Sequence, residues 1–227
     1  MRVGHIVGNG DQVVLFDRKP RKGFKIACNQ TPINTNFYAT ALVDFKFMEA
    51  MKSGAVTVPG SWVCGYRPRL WCDRPENQSI YLRWSSQIKE FYLDLPKYAL
   101  MPGDTIGQGY TNWSCGHLAV HWAVKRLKLT EVHMYGFDSI FDFNLRSYSD
   151  LVLFSERDNM NTNRLASNWR PIWEHLFKEF PDVKFILHHN HDAFKISVPD
   201  NVSVELYNVP SKPITEKRTN NLQVSDA

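Results

Sequence analysis

The sequence has few cysteines and no long apolar run. Four cysteines occur in 227 residues, and no two form a Cys-x-x-Cys pair, which argues against a zinc ribbon or a thioredoxin-type redox site. No apolar stretch reaches the roughly 18 residues that a membrane-spanning helix needs. The opening MRVGHIVGNG also lacks the basic segment and longer apolar core of a secretory signal. We therefore expect a cytoplasmic protein with no membrane span, whose cysteines are buried thiols.

Neither sign of charge is strongly in excess. Lysine and arginine number 27 against 23 acidic residues, which gives a net charge of +4 and a pI of about 8.8. This surplus suits a phosphorylated ligand but falls short of the dense basic face of a nucleic-acid-binding protein, so nucleic acid is not an expected partner. The apolar content of 43% is that of a globular protein, and no internal repeat is visible.

Strand and helix patterns alternate along the chain. Short apolar runs predict strands, and residues at helical spacing predict helices. The predicted strands cover 3–7, 24–28, 40–44, 132–137 and 183–187, with a broken or edge strand at 56–64. The predicted helices cover 45–52, 114–127 and 167–180. This order predicts an α/β fold with a Rossmann-like, mainly parallel sheet and helices on both faces.

The chain length predicts one domain. We place it at residues 1–207, followed by a polar tail at 208–227. Within the domain, residues from about 65 to 110 are rich in aromatic and turn residues and predict an irregular, lid-like insertion. Two short strands, at 80–84 and 91–93, are expected inside that insertion. Its arginines, Arg67 among them, could hold a carboxylate or a phosphate.

Small and polar residues follow the predicted strands. They are Gly8-Asn9-Gly10, Asn29-Gln30, Asp44, Asp138 and the His188-His189-Asn190-His191 run. In open parallel sheets, ligands bind outside the carboxyl ends of the strands. The sequence therefore predicts that these segments, which lie far apart along the chain, line one binding site.

The first three segments offer hydrogen bonds and close approach. Gly8 and Gly10 allow the backbone to approach a ligand, and Asn9 can donate and accept at a ribose or phosphate; a simple strand-exit turn is the alternative. The pattern is not Gly-x-Gly-x-x-Gly, so a standard dinucleotide site is not indicated. The amides of Asn29 and Gln30 suit a base or a sugar hydroxyl, or they cap the strand. Asp44 could bind a ribose or serve as the N-cap of the next helix.

Ser114, Cys115 and Gly116 open the helix predicted at 114–127. The amide groups and the dipole at a helix start can hold a phosphate, and ordinary capping by Ser114 is the alternative. Asp138 could orient a sugar or help to bind a cation, or it caps a loop. These assignments use residue type and position alone.

The HHNHD run at 188–192 holds three histidines in four positions. Its spacing matches no familiar zinc motif, so we predict no metal ligand there. A histidine titrates near neutrality and can act as a general base. A polar loop with solvated histidines is the alternative.

Taken together, these motifs resemble the bacterial CMP-sialic-acid-dependent sialyltransferases and their relatives, which include archaeal pterin pyrophosphokinases. The resemblance rests on IVGNG, on CNQ at 28–30, on Asp44 and on SCGHLAVHWAVKRLKLTEVHMYGFD, and it covers about residues 1–54 and 110–190. It implies a CMP-type nucleotide-sugar donor held beside Asn9, Asn29, Asp44 and the 114–116 segment, under a lid. It also implies direct displacement with a histidine base, with tyrosines on the leaving phosphate and no required cofactor.

Four features depart from that family: Asp11-Gln12 follows GNG in place of Pro-Ser, Asn112 stands where the family has a basic residue, and two further differences concern catalysis. The segment before the last helix has no histidine, and Ile140 replaces the tyrosine after Gly-x-Asp, which leaves Tyr148 as the nearest candidate. We therefore expect His189, or His188 beside it, to supply the base. The alternatives are a Mg²⁺-dependent transferase of the pyrophosphokinase type, with Asp44 and Asp138 as the strand-end acids, and a non-catalytic nucleotide-binding protein. The acceptor, a glycan or another molecule, is not identified, and a homo-oligomer is compatible with the sequence.

Overall fold

The protein is built on one eight-stranded parallel sheet. The structure, a computed structural model, describes residues 1–18, 21–100, 113–141 and 169–208. The strand order is β5-β4-β3-β2-β1-β6-β7-β8, and every neighbouring pair is parallel. The strands are β1 (Val3–Val7), β2 (Phe24–Cys28), β3 (Ala39–Leu42), β4 (Trp62–Cys64), β5 (Ile88–Phe91), β6 (Glu131–Tyr135), β7 (Lys184–His189) and β8 (Val202–Leu206). The predicted Rossmann-like α/β class is confirmed.

Helices cover both faces of the sheet. The described α-helices are α1 (Phe45–Lys52), α2 (Tyr66–Cys72), α3 (Gln78–Trp84), α4 (Cys115–Leu127) and α5 (Arg170–Glu179), and a 3-10 helix spans Asp11–Arg18. The largest hydrophobic cluster joins α4 and α5 to residues such as Ile6, Met134 and Leu187 of the central strands. Two smaller clusters pack α1, α2 and the 3-10 helix against the other face.

The two ends of the central helix α4 are defined by the residues that flank it. Ser114 is its N-cap, and the Ser114 side chain accepts a hydrogen bond from the His117 N–H. At the other end, Lys128 takes a left-handed conformation with φ of 53°. The buried residues of α4 run almost without interruption from Cys115 to Val124, because the helix lies across β1, β2 and β3.

Residues 65–100 differ from the sequence prediction. The segment expected to be an irregular lid contributes α2, α3 and the edge strand β5, while 101–112 lie outside the described residues. Residues 80–84, predicted as a strand, belong to α3, and β5 begins at Ile88 and ends at Phe91. β4 is shorter than the predicted 56–64 and is not at the edge, because β5 pairs with it.

One strand was missed at the other edge. The predicted last strand is followed by β8, which pairs with β7. Its sequence, VSVEL, alternates apolar and polar residues, as a strand with one covered face does. The start of the helix predicted at 167–180 and the tail beyond residue 208 lie outside the described residues.

Candidate functional site

The loops after β1 and β6 flank the point where the strand order reverses. From β1 the chain builds β2 to β5 on one side, and β6 to β8 lie on the other. Ligands in open parallel sheets bind at such a switch point, outside the carboxyl ends of the strands. Gly8, Asn9 and Gly10 follow β1, and Asp138 follows β6, so the sequence-predicted segments flank this crevice.

Gly8 and Gly10 let these two loops approach each other. The Gly8 N–H donates to Tyr135 O at 2.8 Å, and the Gly10 N–H donates to Gly136 O at 2.9 Å. A Cβ on Gly8 would lie 2.6 Å from Gly136 O, and one on Gly10 would lie 2.6 Å from Asp138 Oδ2. The close approach that we predicted toward a ligand is therefore made to the neighbouring loop.

Gly136 offers a matched test of this crowding. Gly136 and Gly54 both have positive φ, 70° and 81°, but a Cβ on Gly136 would lie 3.0 Å from Val13 Cβ while one on Gly54 would meet nothing within 4 Å. We expect Gly54→Ala to cost about 1 kcal/mol from backbone conformation alone. Gly136→Ala should cost about 1–3 kcal/mol more from overpacking. Urea unfolding of both variants measures the difference, and equal losses would show that the loops are not tightly packed.

A chain of side-chain contacts joins β1, β2, β3 and α4. Asn9 Nδ2 donates to Cys28 O at 2.5 Å, and Cys115 Sγ donates to Asn29 Oδ1 at 2.8 Å. Asn29 has φ of 52°, a left-handed conformation that asparagine tolerates, and its N–H donates to Ala41 O at 3.0 Å. Asn9, Asn29 and Cys115 therefore belong to one continuous edge, as the sequence predicted.

Asp44 extends this edge toward β4. Its side chain does not cap α1, although N-capping was one alternative. Instead Arg67 Nη1 lies 3.0 Å from Asp44 Oδ1, and the Asp44 side chain stays 45% exposed.

Burial raises the pKa of the Cys115 thiol well above its usual value, and the charge of Asp44 adds to the shift. Cys115 is thus a protonated donor to Asn29, and its environment does not favour a nucleophilic thiolate.

The start of α4 is closed by a capping box. Ser114 Oγ accepts from the His117 N–H at 3.3 Å, and the Ser114 N–H donates to His117 Nδ1 at 3.0 Å. His117 Nε2 lies 3.2 Å from Trp169 O, and burial lowers the His117 pKa to about 3. A Cβ on Gly116 would lie 2.5 Å from Phe137 Cε1. Capping by Ser114 is confirmed, and Gly116 provides room for Phe137.

His189 and Asp138 meet at the other end of the edge. His189 Nε2 lies 3.9 Å from Asp138 Oδ1, and the His189 ring stacks on Phe141 with centroids 4.1 Å apart. The Gln12 N–H donates to Asp138 Oδ2 at 3.3 Å. The His191 N–H donates to His189 Nδ1 at 3.3 Å. Because Nδ1 accepts, the proton of a neutral His189 is on Nε2, the nitrogen that faces Asp138.

His188 points to the opposite face of the sheet. Adjacent strand residues alternate between faces, and β7 extends to His189, so only one of the two histidines can face Asp138. His188 Nδ1 contacts Tyr207 OH at 3.0 Å, and His188 Nε2 contacts His133 Nδ1 at 2.8 Å. The structure therefore separates the two histidines that were predicted together as candidate bases. Tyr148 lies outside the described residues.

Two further groups complete the site. Gln30 Oε1 is buried with no hydrogen-bond partner among the described residues, so this predicted residue presents an unsatisfied acceptor. Trp113 Nε1 is in the same situation, and its side chain is buried directly before Ser114. Sequence reasoning missed Trp113, although its place beside the SCG segment was a usable signal.

Asp44 and Asp138 follow strands that are not neighbours in the sheet. They follow β3 and β6, which are separated by β2 and β1, so three inter-strand spacings lie between them. At about 4.8 Å per spacing, the two strands lie about 14 Å apart. The sheet therefore does not place the two strand-end acids on adjacent strands.

The fold and site define a Rossmann-like α/β protein with a polar carboxyl edge. No protein-family model, curated protein or solved structure matches the chain. Within the described ranges, no helix combines the length and the apolar character needed to cross a bilayer.

Proposed function

We propose that this edge binds the nucleotide of an activated sugar and that the protein is a glycosyltransferase with a CMP-type donor. The observation that carries the proposal is the pair of contacts from Asn9 to Cys28 O and from Cys115 to Asn29, the residue after Cys28, which joins three distant segments beside a switch point. The resemblance of the same segments to CMP-sialic-acid-dependent sialyltransferases supports the donor class. The four cysteines are free and buried, which supports a reducing, cytoplasmic setting.

The proposed donor site uses groups of different chemistry. Gln30 Oε1 accepts from the exocyclic amine of cytosine or from a ribose hydroxyl, because it is an acceptor with no partner among the described residues. The start of α4 attracts the phosphate through its dipole. Arg67, which lies against Asp44 at the rim, is a second positive group for a carboxylate or phosphate.

Transfer is proposed as a direct displacement. The acceptor hydroxyl oxygen forms a bond to the anomeric carbon, and the bond from that carbon to the phosphate oxygen breaks, with its electron pair leaving on CMP. His189 Nε2–H donates a hydrogen bond to the departing phosphate, since Nδ1 is occupied as an acceptor. The acceptor proton passes to Asp138, whose carboxylate lies 3.9 Å from His189 Nε2. This assigns His189 as a donor, where the sequence suggested a base.

Nucleotide binding is the first test. We expect CMP to stabilise the protein in thermal shift and calorimetry, by about 2.7 kcal/mol at a hundred times its Kd, with weaker effects from UDP and ADP. CDP should lie between, because it shares the base and ribose. Absence of any shift with CMP at millimolar concentration would reject the proposal. Release of CMP from CMP-sialic acid then separates a transferase from a non-catalytic binder.

Gln30→Ala is the most selective binding variant. Because Gln30 Oε1 has no partner among the described residues, its loss should leave the unliganded stability within about 0.5 kcal/mol. Loss of one hydrogen bond to the nucleotide should raise the Kd for CMP about tenfold, which corresponds to about 1.4 kcal/mol. The control is Gln87→Ala, an amide directly before β5 and so at the amino edge of the sheet. Equal affinities in the two variants would exclude Gln30 from the site.

A further inference from the structure

Three polar side chains on neighbouring strands converge on the sheet face opposite α4. They are His133 of β6, His188 of β7 and Glu205 of β8. Their alternate neighbours, such as Val132, Met134 and Leu187, belong to the cluster under α4 and α5, so these three point the other way. One ligand atom from each lies within 4.8 Å of the others.

Each imidazole has one nitrogen that faces the other ring and one outer nitrogen that faces away from it. The hydrogen bonds of the outer nitrogens, His133 Nε2 and His188 Nδ1, fix which nitrogen of each ring carries the proton. His133 Nε2 lies 3.0 Å from Glu131 Oε1, and because a carboxylate only accepts, His133 Nε2 carries the proton. Tyr207 OH donates to Glu205 Oε1 at 2.8 Å, so it accepts from His188 Nδ1 at 3.0 Å. Both outer nitrogens are therefore donors.

It follows that two lone pairs point at one another. His133 Nδ1 and His188 Nε2 are 2.8 Å apart, and in neutral imidazoles with these outer bonds neither carries a hydrogen. Two acceptors at this distance repel unless a positive species lies between them. Glu131 and Glu205 bring two carboxylates to the cluster, and two positive side chains face them: Arg21, whose Nη2 lies 3.4 Å from Tyr207 OH, and Lys184, whose Nζ lies 3.9 Å from Glu131 Oε2.

We propose that His133 Nδ1, His188 Nε2 and the Glu205 carboxylate bind one divalent transition-metal ion of the zinc type. Two imidazoles and a carboxylate are a common ligand set for such ions, and three protein ligands leave one position for water. Metal–nitrogen bonds of about 2.0–2.1 Å in tetrahedral geometry put the two nitrogens about 3.3 Å apart, so the pair opens by about 0.5 Å. Glu131 and Tyr207 orient the two histidines from behind, as outer partners do in metal sites.

The surroundings allow an ion to enter. The His188 side chain is fully buried, that of His133 is 14% exposed and that of Glu205 is 36% exposed, so the cluster opens toward solvent at β8.

The sequence prediction of no metal ligand rested on spacing within HHNHD. This set takes only His188 from that run and finds its other ligands on β6 and β8, which no local spacing can reveal.

Metal binding to the full chain tests the proposal. Protein freed of metal with a chelator is titrated with Zn²⁺ by calorimetry and with Co²⁺ by its visible absorption. We expect one equivalent of each per chain. His133→Gln and Glu205→Gln should each weaken Zn²⁺ binding at least tenfold, and Glu131→Gln should weaken it about 10- to 100-fold. His175→Ala, an exposed histidine on α5, should bind as the unmodified protein does.

The substitutions are chosen so that folding does not obscure the result. Glu205→Gln keeps the size of a partly exposed side chain, and circular dichroism with a thermal melt verifies each variant. Binding of less than a tenth of an equivalent by the unmodified protein would overturn the proposal. So would equal affinities for Glu205→Gln, His133→Gln and His175→Ala, since the bound ion would then lie elsewhere.

Discussion

Replacing His189 by alanine should lower the rate of CMP release from the donor about 100- to 10 000-fold, while the Kd for CMP changes little. The loss is that of a proton donor to the departing phosphate. The contact that places it is the one between His189 Nε2 and Asp138 Oδ1 at 3.9 Å. Rates are measured with saturating CMP-sialic acid by following free CMP, and His175→Ala is the control.

His189→Gln distinguishes the donor role from a base. A glutamine amide can donate from nearly the position of Nε2, but it cannot accept a proton at neutral pH. We expect His189→Gln to retain activity within about tenfold of the unmodified protein. If glutamine is as damaging as alanine, His189 acts as a base and its side-chain tautomer must change in the complex. If alanine itself is fully active, neither role holds.

Acidification from pH 7 to pH 5 should lower the free energy of unfolding by at least about 4 kcal/mol. Burial lowers the pKa of His5 to about 4 and that of His117 to about 3, from an ordinary value of 6.5. Between pH 6.5 and the folded-state values the unfolded chain binds more protons, so stability is present above pH 6.5 and is lost as the pH falls. Each histidine contributes about 2 kcal/mol over this interval. His121 and His188, whose pKa values burial also lowers, add to the loss.

His117→Gln gives this prediction an internal control. A glutamine three residues after a serine N-cap preserves the capping box, while the titrating group is removed. The drop between pH 7 and pH 5 should be smaller by about 2 kcal/mol for this variant. Urea unfolding in buffer with EDTA provides the free energies, and His175→Ala should show the full drop. An unchanged drop in His117→Gln would mean that His117 is not the group that titrates.

Elements set by local pattern were predicted closely. β1, β2 and α1 begin and end at the predicted residues, because short apolar runs and helical spacing are complete within each segment. The cap at Ser114 was predicted for the same reason. β5 and β8 were not predicted as strands with their observed bounds, because edge strands are short and only half-covered, so their composition resembles that of a loop.

Some features of the site were likewise predictable from the sequence, and others were not. The residues after β1, β2, β3 and β6 were identified from the rule on strand ends, and the contact from Cys115 to Asn29 places two of those segments together. The purpose of Gly8 could not be read from the sequence, because the atom it makes room for belongs to Gly136, more than a hundred residues away. The opposite orientations of His188 and His189 required knowing that β7 extends to His189.

The amino-acid sequence by itself determined the central strands, the helix that crosses them and the polar residues at the strand ends, because each depends on a short local pattern. The alternation of these strands and helices along the chain then determined the fold class. Only the tertiary structure decided which polar groups face one another. The separation of about 14 Å between the strands that precede Asp44 and Asp138 and the meeting of His133 with His188 and Glu205 both follow from strand order. Strand order depends on how distant segments pack, so it is a property of the whole chain.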